Sequence, residues 1–367
     1  MNKINRILFI TLIAIITSCC DSESESYDFF EILESTPLLM DHIEGDFKFI
    51  SLDDSHQESI IPDVWNIKFS EEYIFVLSAK EGVFQFEKGG RFIRKISQKG
   101  NGPREWSAII DIAVDEIRKN IYIYDYSGKI MIYSYINGEY QEQLEIPGKI
   151  FSKMHIAGNY LIIAPYNAMG EEEVMMYCVN MNNFAIKSVG SLPKFSLYDY
   201  SHMLYSFTKG IIADANNVLL HPNLSNTIFE YSPEHNLLTE KLTIVLRDTL
   251  TPALRGLGYD GLKKSQTIMD IAQNKQYFFL KLCNYSSTGE WYALDNNDDR
   301  LYKLSLQYAP EIELYFSPKY QLNGAVADLI YTGNLNEKSS ELTYISEKVG
   351  KEITPESNPI VVIWYEE

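Results

Sequence analysis

Cysteine and histidine are scarce in this chain of 367 residues, with four and six copies. Two of the cysteines, Cys19 and Cys20, stand side by side near the start, which leaves Cys178 and Cys283 for the body of the chain. Two isolated thiols exclude a disulfide-stapled scaffold and a four-cysteine zinc site. Both lie in apolar, strand-like runs, where cysteine packs as a small hydrophobe, although an exported chain could also bridge them. The histidines, His42, His56, His155, His202, His221 and His235, show neither H-x-x-x-H nor H-E-x-x-H spacing. A histidine metal site would therefore have to be assembled from distant segments. There is no G-x-S-x-G elbow, no phosphate-binding Walker loop and no dinucleotide fingerprint, so neither a cofactor nor a metal is implied. Positive charge is in deficit too. With 32 Lys and Arg against 50 Asp and Glu, the net charge is −18. Such a surface repels phosphate backbones and argues against nucleic acid as a partner.

Long apolar runs are missing as well, with one exception at the N-terminus. Lys3 and Arg6 precede Ile7–Ile16, which is apolar except for Thr11. The run has the length of a secretory h-region and falls short of the roughly 20 residues that span a bilayer. It ends in Ile16-Thr17-Ser18-Cys19, small residues before a cysteine, the form of a lipoprotein cleavage site. On that reading residues 1–18 are a signal peptide, and Cys19 becomes the lipidated first residue. Cys20 is the second choice, and a plain secretory signal is the alternative. Two or three acyl chains on one residue anchor a protein stably, where one is marginal. Removing Lys3 and Arg6 takes the mature charge to −18 − 2 = −20. Residues 19–45 then form an acidic tether and lead-in, opening with Asp21-Ser22-Glu23-Ser24-Glu25-Ser26.

From about residue 46 the chain repeats. Ile74-Phe75-Val76-Leu77, Val83-Phe84-Gln85-Phe86 and Arg91–Ile96 are strand-like, with Lys88-Gly89-Gly90 as a turn. The same order recurs in Ile121-Tyr122-Ile123-Tyr124, Ile130-Met131-Ile132-Tyr133 and Glu139–Ile146. Gly90-Arg91-Phe92 stands 48 residues before Gly138-Glu139-Tyr140, the period of a four-stranded propeller blade. Weaker copies begin near Tyr160, Asn217 and Tyr277. At about 50 residues per blade, residues 46–367 predict an all-β, six-bladed β-propeller of antiparallel blades. Pro359–Trp364 is expected to pair with Phe47–Leu52 and close the ring, leaving no open edge. Residues 248–267, polar and glycine-bearing, are expected as an insertion, and Glu337–Gly350 as a helix.

The signal sequence, the Ile-Tyr-Ile-Tyr-Asp type of strand, the Gly90–Ile96 hairpin, the turn Gly100-Asn101-Gly102-Pro103-Arg104-Glu105-Trp106 and the terminal strand together resemble the six-bladed propeller lipoproteins of Bacteroidetes, relatives of the NHL-repeat propellers. In that family the turn tends to read Gly-x-Gly-Pro-Gly-Glu-aromatic; here Arg104 replaces the last glycine. The resemblance implies a fold and an envelope location, outer-membrane and either periplasmic or surface-exposed, and no established activity. The acidic run after Cys19 resembles the export signal of surface lipoproteins in such bacteria.

Three residues of the turn are candidate ligand contacts: Trp106, Arg104 and Lys99. Lys88, Arg91, Arg94, Lys95, Lys99 and Arg104 place six cations in seventeen residues without one acid. Such a patch could receive a carboxylate or sulfate, with the glycine amides adding donors. Equally, it could keep an outer strand soluble while Trp106 packs between blades. Asp295-Asn296-Asn297-Asp298-Asp299 lacks the sixth-position glycine and twelfth-position glutamate of an EF-hand and is expected as a turn. The chain therefore reads as an envelope binding or scaffolding module for a glycan, peptide or protein. The alternative is an envelope hydrolase or lyase with its site in the central channel.

Overall fold

The apolar tetrads of the sequence become middle strands because each is covered on both faces. Tyr73–Ser78, Gly82–Glu87, Asn120–Asp125 and Lys129–Ser134 are buried almost without interruption, whereas Tyr140–Glu145 and Ile186–Val189 are largely accessible. A sheet sandwiched between two others needs no polar face on its inner strands; only the outermost strand meets water.

The computed structural model describes residues 25–28, 38–40 and 46–365, apart from 103, 147–150, 166–173, 192–210, 214–217, 223–224, 247–265, 285–288, 298–299 and 323. The signal, Cys19, the start of the tether, and the segment expected as an insertion up to residue 265 lie outside the described residues. Gln266 and Thr267 already belong to a strand.

Six four-stranded antiparallel sheets are arranged as blades. From axis to rim, blade 1 holds Asn66–Phe69, Tyr73–Ser78, Gly82–Glu87 and Phe92–Ile96. Blade 2 holds Ile109–Asp115, Asn120–Asp125, Lys129–Ser134 and Tyr140–Glu145. Blade 3 holds Phe151–Ala157, Tyr160–Pro165, Met176–Asn180 and Ile186–Val189. Blade 4 holds Ile211–Ala213, Val218–Leu220, Thr227–Ser232 and Leu237–Val245. Blade 5 holds Gln266–Gln273, Tyr277–Asn284, Glu290–Asp295 and Leu301–Leu304. Blade 6 takes Tyr320–Leu322, Ala325–Ile330 and Ile360–Tyr365 from the C-terminal end and Asp46–Ser51 from the N-terminal end. Two short strands from the lead-in, Glu25–Asp28 and Leu38–Met40, run parallel outside blades 4 and 5. Hydrophobic clusters of the described residues fall between neighbouring blades, all the way round.

Closure is as the sequence predicts. Ile360–Tyr365 pairs antiparallel with Asp46–Ser51, from Ile360 opposite Ser51 to Tyr365 opposite Asp46. Asn358, 2% exposed, locks the corner. Its carboxamide nitrogen donates to the carbonyls of Asp53 and Ser59, both at 2.8 Å, and its oxygen accepts from the Ile61 amide at 2.8 Å. The expected helix is present as α1 (Ser340–Val349). Ser339 caps it by accepting from the Leu342 amide, Gly350 ends it in the left-handed region, and Leu342 and Ile345 are buried in the blade 5–blade 6 core. Cys178 and Cys283 are free and buried.

Blade 1 meets the closing strand through Gly90. Its φ is +91°, and a β-carbon there would collide with the Ser51 carbonyl oxygen; the Asp53 amide donates to the Gly90 carbonyl at 2.8 Å. Gly89, next to it, has open space around its α-carbon. Gly90→Ala is therefore expected to lower stability by about 1–3 kcal/mol, and Gly89→Ala to stay within about 0.5 kcal/mol, in denaturant melts. Equal loss from both would show that the close approach is not needed.

Candidate functional site in the central channel

The first strand of each blade lines the axis, and these six strands neighbour one another in a closed cycle. In three of them the pairing register shifts immediately before a charged residue: Asp111 in blade 2, Lys153 in blade 3 and Asp270 in blade 5. A bulge re-aims the side chain that follows it. Asp111 is fully buried and ties three blades together. Its carboxylate accepts from Asn66 Nδ2 of blade 1 at 2.6 Å and from the Met154 amide of blade 3 at 2.9 Å. The Lys153 ammonium lies 3.7 Å away.

Lys68, on the first strand of blade 1, reaches across the axis to blade 3, where its Nζ lies 3.0 Å from His155 Nε2. An ammonium has only protons to give, so Nε2 accepts and the imidazole proton sits on Nδ1. Among the described residues Lys68 has no carboxylate within ion-pair distance. Burial pushes its pKa down to about 8; the Lys153 charge acts in the same direction and Asp111 against it. Burial, then Lys68 and Lys153, hold His155 well below the ordinary histidine range. Near pH 7 Lys68 is charged and His155 is neutral. Blade 6 closes this layer with Gln321, whose side chain exchanges hydrogen bonds with the Gln273 backbone of blade 5.

Lys68, His155 and Gln321 separate two cavities. The larger, about 400 Å³, opens on the side of the hairpins joining first and second strands, past Glu71 and Glu116. Glu116 is already engaged, by the Glu71 amide at 2.6 Å and the Tyr135 hydroxyl at 2.9 Å. The smaller, about 60 Å³, opens on the opposite side. Lys68, Lys153, Lys319 and Asp270 are among its lining residues. Lys319 is paired with Asp328 at 3.0 Å. At its rim stands Trp65, 60% exposed, with its backbone amide bonded to the Leu77 carbonyl at 2.8 Å. A tryptophan this open on a rigid strand start is the feature of the mouth that needs explaining.

The residues singled out from the sequence lie elsewhere. Trp106 is fully buried in the blade 1–blade 2 core, beside Phe75, Ile123 and Tyr133. Lys99 is exposed, with its ammonium 5.5 Å from the Trp106 ring centroid. Arg104 lies over Tyr140, 5.1 Å from the centroid, and its carbonyl accepts from the Tyr133 hydroxyl at 2.8 Å. None of the three lines either cavity. The glycine turn holds an anion of its own: Glu105 folds back so that its carboxylate accepts from the Gly102 amide at 2.8 Å. A β-carbon on Gly100 would collide with that carboxylate. Neighbouring cations are used locally, Arg91 with Glu87 and Lys95 with Glu81. Asn297 sits in the expected turn after blade 5's third strand, its amide bonded to Asp295 at 2.8 Å. The sequence reading missed Lys68, Lys153 and Trp65, and took His155 as isolated. One signal was available: Asp111-Ile112-Ala113 recurs as Asp270-Ile271-Ala272, the same bulged position in two blades.

Among the described residues no group of three or more His, Cys, Asp or Glu is placed to hold a metal ion. Nor is any helix of theirs long and apolar enough to cross a membrane.

Fold and channel together define the chain as a six-bladed β-propeller with four-stranded antiparallel blades. It belongs to the family described as Domain of unknown function (DUF4934), which matches residues 28–365. No curated protein matches it. Among solved structures it is similar to a presumptive exported protein of Bacteroides fragilis, at 15% identity and a TM-score of 0.69, over 94% of this chain and 99% of that one. It is also similar to a member of the DUF4221 family from Bacteroides vulgatus, at 8% identity and a TM-score of 0.51, over 88% and 97%. At such identities the likeness concerns the fold.

The buried histidines set the acid limit of the fold. His221, 4% exposed, donates from Nε2 to the Ser225 carbonyl at 2.7 Å, and burial pushes its pKa down to about 4. Below the ordinary value of 6.5 an unfolded chain takes up protons that folded His221 and His155 refuse. Their contribution is thus complete above pH 6.5 and is lost as the pH falls. For His221 alone the loss between pH 7 and pH 5 is about 2 kcal/mol. Urea midpoints should fall over that interval, and fall less in His221→Asn. An identical slope in that variant would contradict the assignment.

Proposed function

We propose that this protein is a lipid-anchored binding module of the cell envelope whose ligand is a glycan held at the Trp65 mouth of the channel. The observation that carries the reading is Trp65 itself, an exposed indole beside a recess lined by polar and charged side chains. Sugar rings offer a flat face of C–H groups to an aromatic plane and hydroxyls to the polar groups around it. Rigid strand starts hold the aromatic in place, which limits the ordering cost of binding. Export is supported by the charged, apolar and small-residue order of residues 1–19. The exported character given to the Bacteroides fragilis protein agrees with it. The acidic residues after Cys19 suit a surface-exposed orientation at the outer membrane.

A second reading has one specific observation in its favour. Lys68, held near pKa 8 beside a neutral imidazole, is the kind of group that serves as a base in a hydrolase or lyase. The channel carboxylate Asp111 is committed to blade-to-blade contacts, which favours binding over catalysis.

Two measurements test the proposal. Mass spectrometry of the mature N-terminus should find an acylated Cys19 followed by Cys20-Asp21, and Cys19→Ala should leave the membrane fraction; a free N-terminus on a soluble product would refute the anchor. On a glycan array, Trp65→Ala should weaken binding about tenfold with little change in melting temperature. Undiminished binding by that variant would move the site away from this mouth.

A further inference from the structure

We infer that the rim of blades 3 and 4 is the membrane-facing side of this propeller, its partner being the lipid surface that carries the anchor; this rests on the lipidation of Cys19 proposed above. The first argument is reach. Glu25–Asp28 runs parallel to the outer strand of blade 4, with Glu25 opposite Leu242 and Asp28 opposite Val245. Cys19 stands 25 − 19 = 6 residues before Glu25. Its acylated end therefore lies within about 20 Å of that strand. Were the lead-in unpaired as far as Asp46, the anchor could stand about 90 Å away, and any side of the propeller could meet the membrane.

The second argument is what the rim exposes. Outer strands elsewhere turn polar groups to water, such as Gln141, Glu142 and Glu145 in blade 2 and Asp46 and Lys48 in blade 6. Among the described residues, the outer strands that expose a large hydrophobic side chain are those of blades 3 and 4. Ile186 is 42% exposed, Leu237 56% and Val245 39%; Phe184, in the turn before Ile186, is also exposed. The two strands adjoin. Leu238 packs against the cluster that contains Val189, and a β-carbon on Gly190 would come within 2.9 Å of the Leu238 side chain. Single exposed apolar residues are ordinary, but here they follow one another along adjoining rim strands, beside the point where the lead-in attaches.

The third argument is charge and position. At −18 − 2 = −20 the mature chain is repelled by anionic headgroups, so its contact with lipid is apolar and shallow. The acyl chains supply the affinity, and the rim sets the orientation. The cycle of first strands puts blade 4 opposite blade 1. Trp65, at the start of blade 1, thus stands half a turn from the anchor, and its mouth stays open to solvent.

The test uses the mature, acylated full-length protein on vesicles of phosphatidylethanolamine and phosphatidylglycerol, with Cys20→Ser to remove the second N-terminal thiol. Cys178 and Cys283 are buried, and protein without an added cysteine gives the labelling blank. A fluorophore is attached through Ile186→Cys, Leu237→Cys or, on the opposite rim, Arg91→Cys, and melting curves establish that each variant is folded. Quenching by spin-labelled lipid at the Ile186 and Leu237 positions is expected to exceed that at Arg91 by about threefold or more, and to persist at high salt. Trp106, Trp291 and Trp364 are buried, so acrylamide reports chiefly on Trp65, which should be quenched as strongly on vesicles as in soluble Cys19→Ala. Equal lipid quenching at the three positions of vesicle-bound protein overturns the inference and leaves the anchor standing. Loss of the difference at high salt overturns it too, since the contact would then be electrostatic, as does shielding of Trp65 on vesicles. A product that carries no acyl chain and stays off the vesicles overturns both readings.

Discussion

One contact has no substitute in this molecule: the pairing of Asp46–Ser51 with Ile360–Tyr365. Every other blade is built from consecutive chain, but blade 6 exists only when the two ends of the fold meet. The contact recruits its own supports. Asn358 binds the backbone of the entering chain at three places, and Gly90 lets blade 1 seat against Ser51. The order of events follows from loop entropy: blades of local hairpins form readily, and the long-range closure comes at the largest separation in sequence. Once formed, it covers the outer edge of Ile360–Tyr365 and makes Asp46–Ser51 the rim strand of blade 6.

Closure is also what makes a site. It draws six first strands around one axis, bringing Lys68 within 3.0 Å of His155 across 87 residues of chain. The middle strands are stabilised by apolar burial, blade against blade. Those at the axis have too little space for bulky apolar packing and carry polar groups that must find each other. Asp111 does this for three blades, and Gln321 does it between blades 5 and 6.

The legible part of the fold divides along the same line. In blades 1 and 2 the second and third strands are buried on both faces, and Ile121–Tyr124, like Tyr277–Leu282 in blade 5, announces itself as an apolar, β-branched and aromatic run. The closing strand and α1 are legible for similar reasons. The first strands are not: Asn66–Phe69 and Phe151–Ala157 mix lysine, asparagine and histidine with apolar residues and show no clean period. They carry the candidate site, so the site was hidden where the strand signal was weakest. The Gly100–Trp106 turn misleads in the opposite sense. Its glycines and cations have the composition of an anion site, but Glu105 supplies the anion from within. Trp106 and Trp65 cannot be told apart by composition; only the neighbours in space make one a core residue and the other a rim residue.

The most direct test of this account is the titration of Lys68 itself, because its environment exists only in a closed ring. Followed by NMR of its side-chain nitrogen, with Lys68→Arg used for assignment, the ammonium should lose its proton near pH 8. A midpoint near the ordinary lysine value of 10.5 would mean that Lys68 is solvated like a surface lysine. The desolvated contact of Lys68 with His155 across the axis would then be contradicted.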